Sequence, residues 1–283
     1  MLWLTIAKPV LDFLGYEADV PQRLNSDATN RPNITWCTTG PLSFLPIHAA
    51  GDYTQPGCSL FDYVISSFTP TLSALLVSPP DPASASRVLA IGQTHTPGLL
   101  SLPGTTAELD QIQTQTRGTQ FTRLEDNWAT TGAAVEAIHS HGWVHFACHA
   151  SQNTTKPTAS AFHLHDGSLT LARIAQMQLK NADLAFLSAC QTATGDAELP
   201  EEAVHLAAGM LMAGYKRVVA TMWSIDDQDA PLVAEKFYAY MLNSEMPSER
   251  KAAKALHYAI QCLRDKVGVK EFERWVPYVH IGL

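Results

Sequence analysis

The chain has 283 residues, 46% of them hydrophobic and 16% charged, and carries a formal net charge of −8. That composition places it among ordinary globular proteins of one or two domains with ample material for a core. It carries no Lys/Arg stripe to neutralise phosphates, which argues against nucleic acid, and no apolar run of the roughly 18–20 residues that cross a bilayer.

The acidic balance suits basic peptide substrates and equally suits plain solubility. Five cysteines, at 37, 58, 148, 190 and 262, form no C-x-x-C pair and make an odd set. Neither a disulfide framework nor a thiolate zinc site is expected, and a reducing, cytoplasmic setting is. The first fifteen residues lack a basic start followed by an apolar block, so no secretory leader is read.

Leu2, Trp3, Ile6, Val10, Leu11 and Leu14 have helical spacing from the first residue onward, so the chain reads as opening inside a folded element of what could be a longer protein. Pro9 should kink or shorten that helix. Residues 17–33 are polar, with Pro21 and Pro32, and read as a surface loop. Strands are expected at 34–37 and 63–68, separated by a segment, 41–51, too proline-punctuated for a long helix. The Pro/Ser/Ala-rich stretch 78–86 is the clearest linker. It divides an N-terminal lobe, 1–85, packed on the catalytic part, from a catalytic domain, 86–283.

Beyond the linker the alternation becomes regular. Strands are expected at 87–92, 121–125, 143–148, 184–189 and 217–223. Helices fall near 105–115, 131–140, 171–179 and 201–213, a hairpin-like piece lies at 162–165, and two helices follow the last strand. Such alternation specifies a parallel sheet covered on both faces with right-handed crossovers. Gly214 stands where a helix commonly ends in the left-handed conformation, and Asp229 before Ala230-Pro231 reads as an N-cap.

Two of these strands finish on residues capable of acyl transfer. The run Trp143 to Cys148 leads into His149, and the run Leu184 to Ala189 leads into Cys190. Each is followed by small and polar residues, so both sit at strand-to-loop junctions, where active sites of open α/β sheets assemble. A thiol attacks a carbonyl only as thiolate, and an imidazole is suited to take its proton near neutral pH. His149 is therefore the candidate base and Cys190 the candidate nucleophile. The backbone amides of Ala150 and Cys190 are the candidate oxyanion donors. A cysteine ending an apolar strand is also a common packing residue, so spacing alone leaves that plainer role open.

Ordered motifs add to this reading. Phe146-Ala147-Cys148-His149, Leu187-Ser188-Ala189-Cys190-Gln191-Thr192-Ala193-Thr194-Gly195, Ala207-Ala208-Gly209-Met210 and Val219-Ala220-Thr221-Met222-Trp223-Ser224-Ile225-Asp226-Asp227 resemble the CHAT domain family. So do Gly40-Pro41-Leu42-Ser43-Phe44-Leu45-Pro46-Ile47-His48-Ala49 near the start and Trp275-Val276-Pro277-Tyr278-Val279-His280-Ile281-Gly282 at the end, so the resemblance runs nearly end to end. CHAT domains are caspase-like cysteine peptidase domains related to separase. The resemblance implies a caspase-like three-layer α/β sandwich, with a mostly parallel central sheet and helices on both faces. It further implies a cysteine endopeptidase working through a Cys190–His149 dyad and a thioester. The family usually has glycine directly after the histidine, where this chain has Ala150; if that backbone needs positive φ, alanine strains or moves the oxyanion hole.

Caspase-like enzymes bind substrate as an added strand beside the segment after the fifth core strand, which here is Trp223, Ser224, Ile225, Asp226 and Asp227. Main-chain bonds then give affinity and side-chain pockets give selectivity. Asp226, Asp227 and Asp196 are candidates to face a basic substrate residue, although helix capping is the commoner use of such aspartates. Where metacaspase-like relatives carry an acid two residues before the nucleophile, this chain has Ser188. The crowded histidines 139, 141, 145, 149, 163 and 165 lack the spacing of a metal set, so no metal and no cofactor are expected. The expected partner is a protein or peptide substrate, with control by an upstream sensor or repeat-containing region, and with no nucleic acid or membrane. Two alternatives stay open: a catalytically idle interaction module, and, less favoured, a small-amide hydrolase.

Overall fold

The computed structural model describes residues 1–16, 31–76, 87–153, 156–189, 202–243 and 251–282. The polar stretch 17–30 lies outside the described residues, as do 77–86, which include the expected linker 78–86, and 190–201, which hold Cys190 and Asp196.

The chain opens with a π-helical turn, Trp3–Ala7, that passes into helix α1, Lys8–Phe13, where Pro9 occupies the first turn. Proline cannot donate to the preceding turn, and the wider winding ahead of it accommodates the missing bond. Strand β1 (Asn33–Trp36), short helix α2 (Leu60–Tyr63) and strand β2 (Ile65–Phe68) complete the part before the linker. The regular alternation follows: β3 (Arg87–Gly92), α3 (Gly104–Gln115), β4 (Gln120–Glu125), α4 (Thr131–Ser140) and β5 (Trp143–Ala147). A small antiparallel sheet is built from β6 (Ala150–Ser151), β7 (Ala161–Leu164) and β8 (Gly167–Thr170). Then come α5 (Leu171–Ala175), β9 (Leu184–Leu187), α6 (Glu202–Met212), β10 (Arg217–Thr221), α7 (Ala230–Leu242), α8 (Lys251–Val267), α9 (Phe272–Trp275) and β11 (Tyr278–Gly282).

Eight described strands form the main sheet in the order β1-β2-β11-β10-β9-β5-β3-β4. All neighbouring pairs are parallel except β10 with β11. Strand side chains alternate between faces, and the core divides accordingly. Val144, Phe146, Ala185, Leu187 and Val218 pack under α4, α5 and α6, through Ile138, Ile174 and Met210. Trp143, Leu184, Phe186 and Val219 pack under α7 and α8, through Phe237, Tyr238, Ile260 and Leu263. This is an α/β sandwich of three layers with a caspase-like, mostly parallel sheet.

Several elements differ from the sequence expectation. The helix expected at 171–179 stops at Ala175, because Gln178 takes a φ of 47° and the Leu179 N–H turns to the Ala213 carbonyl at 3.2 Å. Strand β11 was not foreseen. It adds antiparallel to β10 and bridges to β2, so β1 and β2 extend the same sheet. Gly214 does end α6, at a φ of 115°. Asp229 stands at the cap position of α7, yet its carboxylate makes no cap bond and instead receives Arg274 through two bonds of 2.6 Å.

The amino ends of β5, β9 and β10 are tied by one buried cluster. Arg217 donates to both oxygens of Asp183, through Nη2 at 2.7 and 2.9 Å and Nε at 3.1 Å, and the Trp143 indole donates to the same carboxylate at 2.9 Å. These three strands thereby enter the sheet in fixed register, and their carboxyl ends emerge side by side.

Candidate active site

At those carboxyl ends β5 and β9 are direct parallel neighbours, with Phe146 opposite Leu187. His149 follows Phe146 by three positions, and Cys190 follows Leu187 by three, although Cys190 lies outside the described residues. His149 is 1% exposed and is held from three directions. Two residues before it, the Ala147 carbonyl accepts the Gln93 N–H at 2.9 Å, while the His149 carbonyl accepts the His163 N–H at 2.8 Å. On the side chain, Nε2 lies 2.7 Å from the Leu100 carbonyl oxygen. A carbonyl accepts only, so Nε2 must carry a proton. In the neutral ring Nδ1 is then the lone-pair nitrogen. Nδ1 is buried and has no hydrogen-bond partner among the described residues.

Ala150 opens β6 and pairs with Phe162. Its φ is not in the left-handed region, since the described non-glycine residues with positive φ are Asp126 and Gln178. Alanine in place of glycine therefore introduces no backbone strain here. The His163-to-His149 bond marks those two as a hydrogen-bonded pair of the antiparallel ladder, so the next pair, Ala150 with Phe162, is a non-bonded one. The Ala150 N–H consequently faces away from β7.

The segment after β10 runs along the same edge of the sheet. Trp223 is half-buried and packs against both core layers, and Ser224 is exposed. Asp226 is exposed, and its Oδ1 accepts the Gln228 N–H at 2.9 Å. Asp227 turns inward: its Oδ2 accepts the Gly104 N–H at 2.5 Å, at the start of α3. Asp196 lies outside the described residues. Beside Met222 a cavity of about 180 Å³ opens, lined by Phe68, Pro70, Ala208, Val279 and Ile281 among others.

The other histidines go elsewhere. His145 is fully buried on the α7 face, its Nε2 3.0 Å from Glu108 and its Nδ1 3.3 Å from the Tyr238 hydroxyl, stacked on Phe186. Its carboxylate partner comes from α3 and was invisible in local spacing. His163 sits beside His149, and burial, followed by the electrostatic influence of the neighbouring imidazole, holds its pKa below the usual histidine value. Among the described residues no group of three or more His, Cys, Asp or Glu side chains converges as a metal site. No described helix is long and apolar enough to cross a membrane. Sequence reasoning missed Leu100, because what it contributes is a main-chain oxygen, for which no side-chain pattern exists.

The sheet order and the helices on both faces define a caspase-like α/β fold, the architecture of clan CD cysteine peptidases. The CHAT domain family matches residues 2–283, and the chain belongs to that family. Among solved structures, it is similar to the complex of Porphyromonas gingivalis RgpB pro- and mature domains, with 11% identity and a TM-score of 0.56 over 93% of this chain and 67% of that one. It is likewise similar to the Arg specific cysteine proteinase gingipain R (RGPB), with 11% identity and a TM-score of 0.55 over 93% of this chain and 65% of that one. The chain thus spans about two thirds of the length of these neighbours, and at this identity the likeness is one of fold. No curated protein matches it.

Proposed function

We propose that this chain is a cysteine endopeptidase in which Cys190 is the nucleophile and His149 the base. The observation that carries the reading is where the His149 ring stands: at the carboxyl end of β5, beside the end of β9 that leads to Cys190, with Nε2 pinned to the Leu100 carbonyl and Nδ1 left without a partner among the described residues. His48 has the same ring state inside the core, so it is the position at the strand ends that sets His149 apart. Here the fixed tautomer leaves Nδ1 to take the proton of a thiol presented from the neighbouring strand end. The thiolate then attacks the peptide carbonyl, and the Ala150 and Cys190 amides receive the oxyanion. The imidazolium returns its proton to the leaving amine, and water hydrolyses the thioester.

Substrate adds as a strand along Trp223, Ser224 and Asp226, whose position beside the site and partial exposure support that use. Of the aspartates proposed to meet a basic residue, Asp226 has an exposed carboxylate, whereas Asp227 is engaged by α3. The substrate is a protein or peptide met in the cytoplasm, the reaction needs no cofactor, and an upstream sensor or partner controls it.

The test is cleavage of a peptide library by the wild type and by Cys190→Ala, with labelling by extended peptide aldehydes and by small glutamine analogues in parallel. Turnover lost in Cys190→Ala, with labelling of Cys190 by extended probes only, supports the reading. Equal turnover by the two proteins, or labelling by the small analogues instead, overturns it.

A further inference from the structure

We propose that Asp126 is a positioning residue for the His149 imidazole, acting through the loop between β3 and α3, with Asp227 as the second anchor of that loop. The inference rests on the reading of His149 as the base and adds what holds that base in place.

The Leu100 carbonyl that fixes the ring belongs to a loop whose tip stands exposed: the Leu100 side chain is 75% exposed, and Pro97 and Gly98 are exposed too, with burial returning at Leu102. Polar ties at its base, together with buried Leu102, set where that carbonyl points. Asp126 supplies the first. It lies outside the loop, after β4, and its Oδ1 accepts the Thr94 N–H at 2.8 Å and the His95 N–H at 3.4 Å. Thr94 in turn closes the loop, its carbonyl accepting the Leu102 N–H at 3.0 Å and the Ser101 hydroxyl at 3.3 Å, from the two residues that directly follow Leu100 in sequence. At the far end, Asp227 holds the Gly104 N–H.

Asp126 makes its bond from a strained backbone. Its φ is 46°, a region that costs an L-residue about 1–2 kcal/mol, though Asp tolerates it better than most. Strain of this kind persists only where the surroundings over-determine it, and it gathers at functional sites. Here it aims one carboxylate oxygen at two amides of the loop that carries the partner of His149. Asp227 links the same loop to the segment proposed to receive substrate, so a peptide bound along 223–227 bears on the element that orients the base.

Asp126→Gly separates the carboxylate from the backbone, because glycine adopts the same φ without strain. Asp126→Asn keeps an acceptor and serves as the rescue. The readouts are steady-state peptide hydrolysis and the side-chain ¹⁵N signals of His149, which report its tautomer whether or not the protein cleaves peptides. The proposal expects the wild type to show His149 protonated at Nε2. In Asp126→Gly that signal shifts or splits and kcat falls about 10- to 100-fold with KM held within about twofold, as for a misplaced catalytic group. Asp126→Asn stays near wild type. Unchanged His149 signals in Asp126→Gly overturn the proposal, even if thermal stability drops. A wild type that cleaves no peptide, yet loses the Nε2 tautomer in Asp126→Gly, sinks the peptidase reading and leaves the positioning role standing.

Discussion

Replacing Arg217 by methionine tests the cluster that sets the register of the three central strands. Asp183 is 2% exposed and Arg217 8%. In Arg217→Met, three of the four bonds to the Asp183 carboxylate disappear and only the Trp143 indole remains. Removing one partner of a buried ion pair strands the other charge, at a cost of about 3–5 kcal/mol. Asp183→Asn combined with Arg217→Met removes that charge while keeping an acceptor for Trp143, so the double variant should recover most of the loss. Urea unfolding at pH 7 measures both. The cluster lies at the opposite end of the strands from His149, so peptide turnover per folded molecule should stay within about twofold, as for distant independent sites. A loss below about 1 kcal/mol in Arg217→Met, the usual range of an exposed pair, or a double variant as unstable as the single one, would refute this account of the cluster.

Other outcomes follow from the same structure. His149→Gln should lower kcat about 10²- to 10⁴-fold in the peptide assay, the usual contribution of a general base, with urea stability little changed. His48 is buried against the Val276 carbonyl, and burial pushes its pKa down to about 4, while burial followed by the Arg31 and Arg264 charges holds His257 well below the usual value. Between about pH 6.5 and 4 the unfolded chain binds protons that the native state does not. Stability should therefore fall on acidification, by up to about 1.4 kcal/mol per pH unit per group, and His48→Gln should flatten the urea midpoint against pH. Phe162→Ala removes a fully buried ring stacked on Phe146 at 4.2 Å and should cost about 3–5 kcal/mol by urea unfolding. Gly104→Ala drives a Cβ into the Asp227 carbonyl oxygen and should lower stability and peptide turnover together.

Much of the sheet was readable because each buried parallel strand from β3 to β10 is a short apolar run closed by polar residues, a pattern that depends on local burial alone. The strand ends carrying His149 and leading to Cys190 could be placed for the same reason. What escaped depends on pairing at a distance. Strand β11 has a histidine at its centre and a proline just before it, and is a strand only because β10 and β2 flank it; its His280 is sheltered by a bond to Ser67 at 2.9 Å. Strand β6 spans two residues and has no period to detect. The main-chain partner of His149 comes from 49 positions upstream, and the anchoring of that loop by Asp126 and Asp227 crosses from one strand-end connection to another. Aspartates read in sequence as pocket residues or caps were divided by such contacts: Asp227 to a helix start, Asp229 to Arg274.

The place of β11 between β10 and β2 bears on how the chain is made. Residues 33–68 are synthesised well before the strand at 278–282 that provides the edge they join. During translation β1 and β2 must wait, with the β2 edge unpaired, until that later strand has left the ribosome. That is the situation in which nascent chains depend most on chaperones and in which an unfinished sheet edge recruits the wrong neighbour.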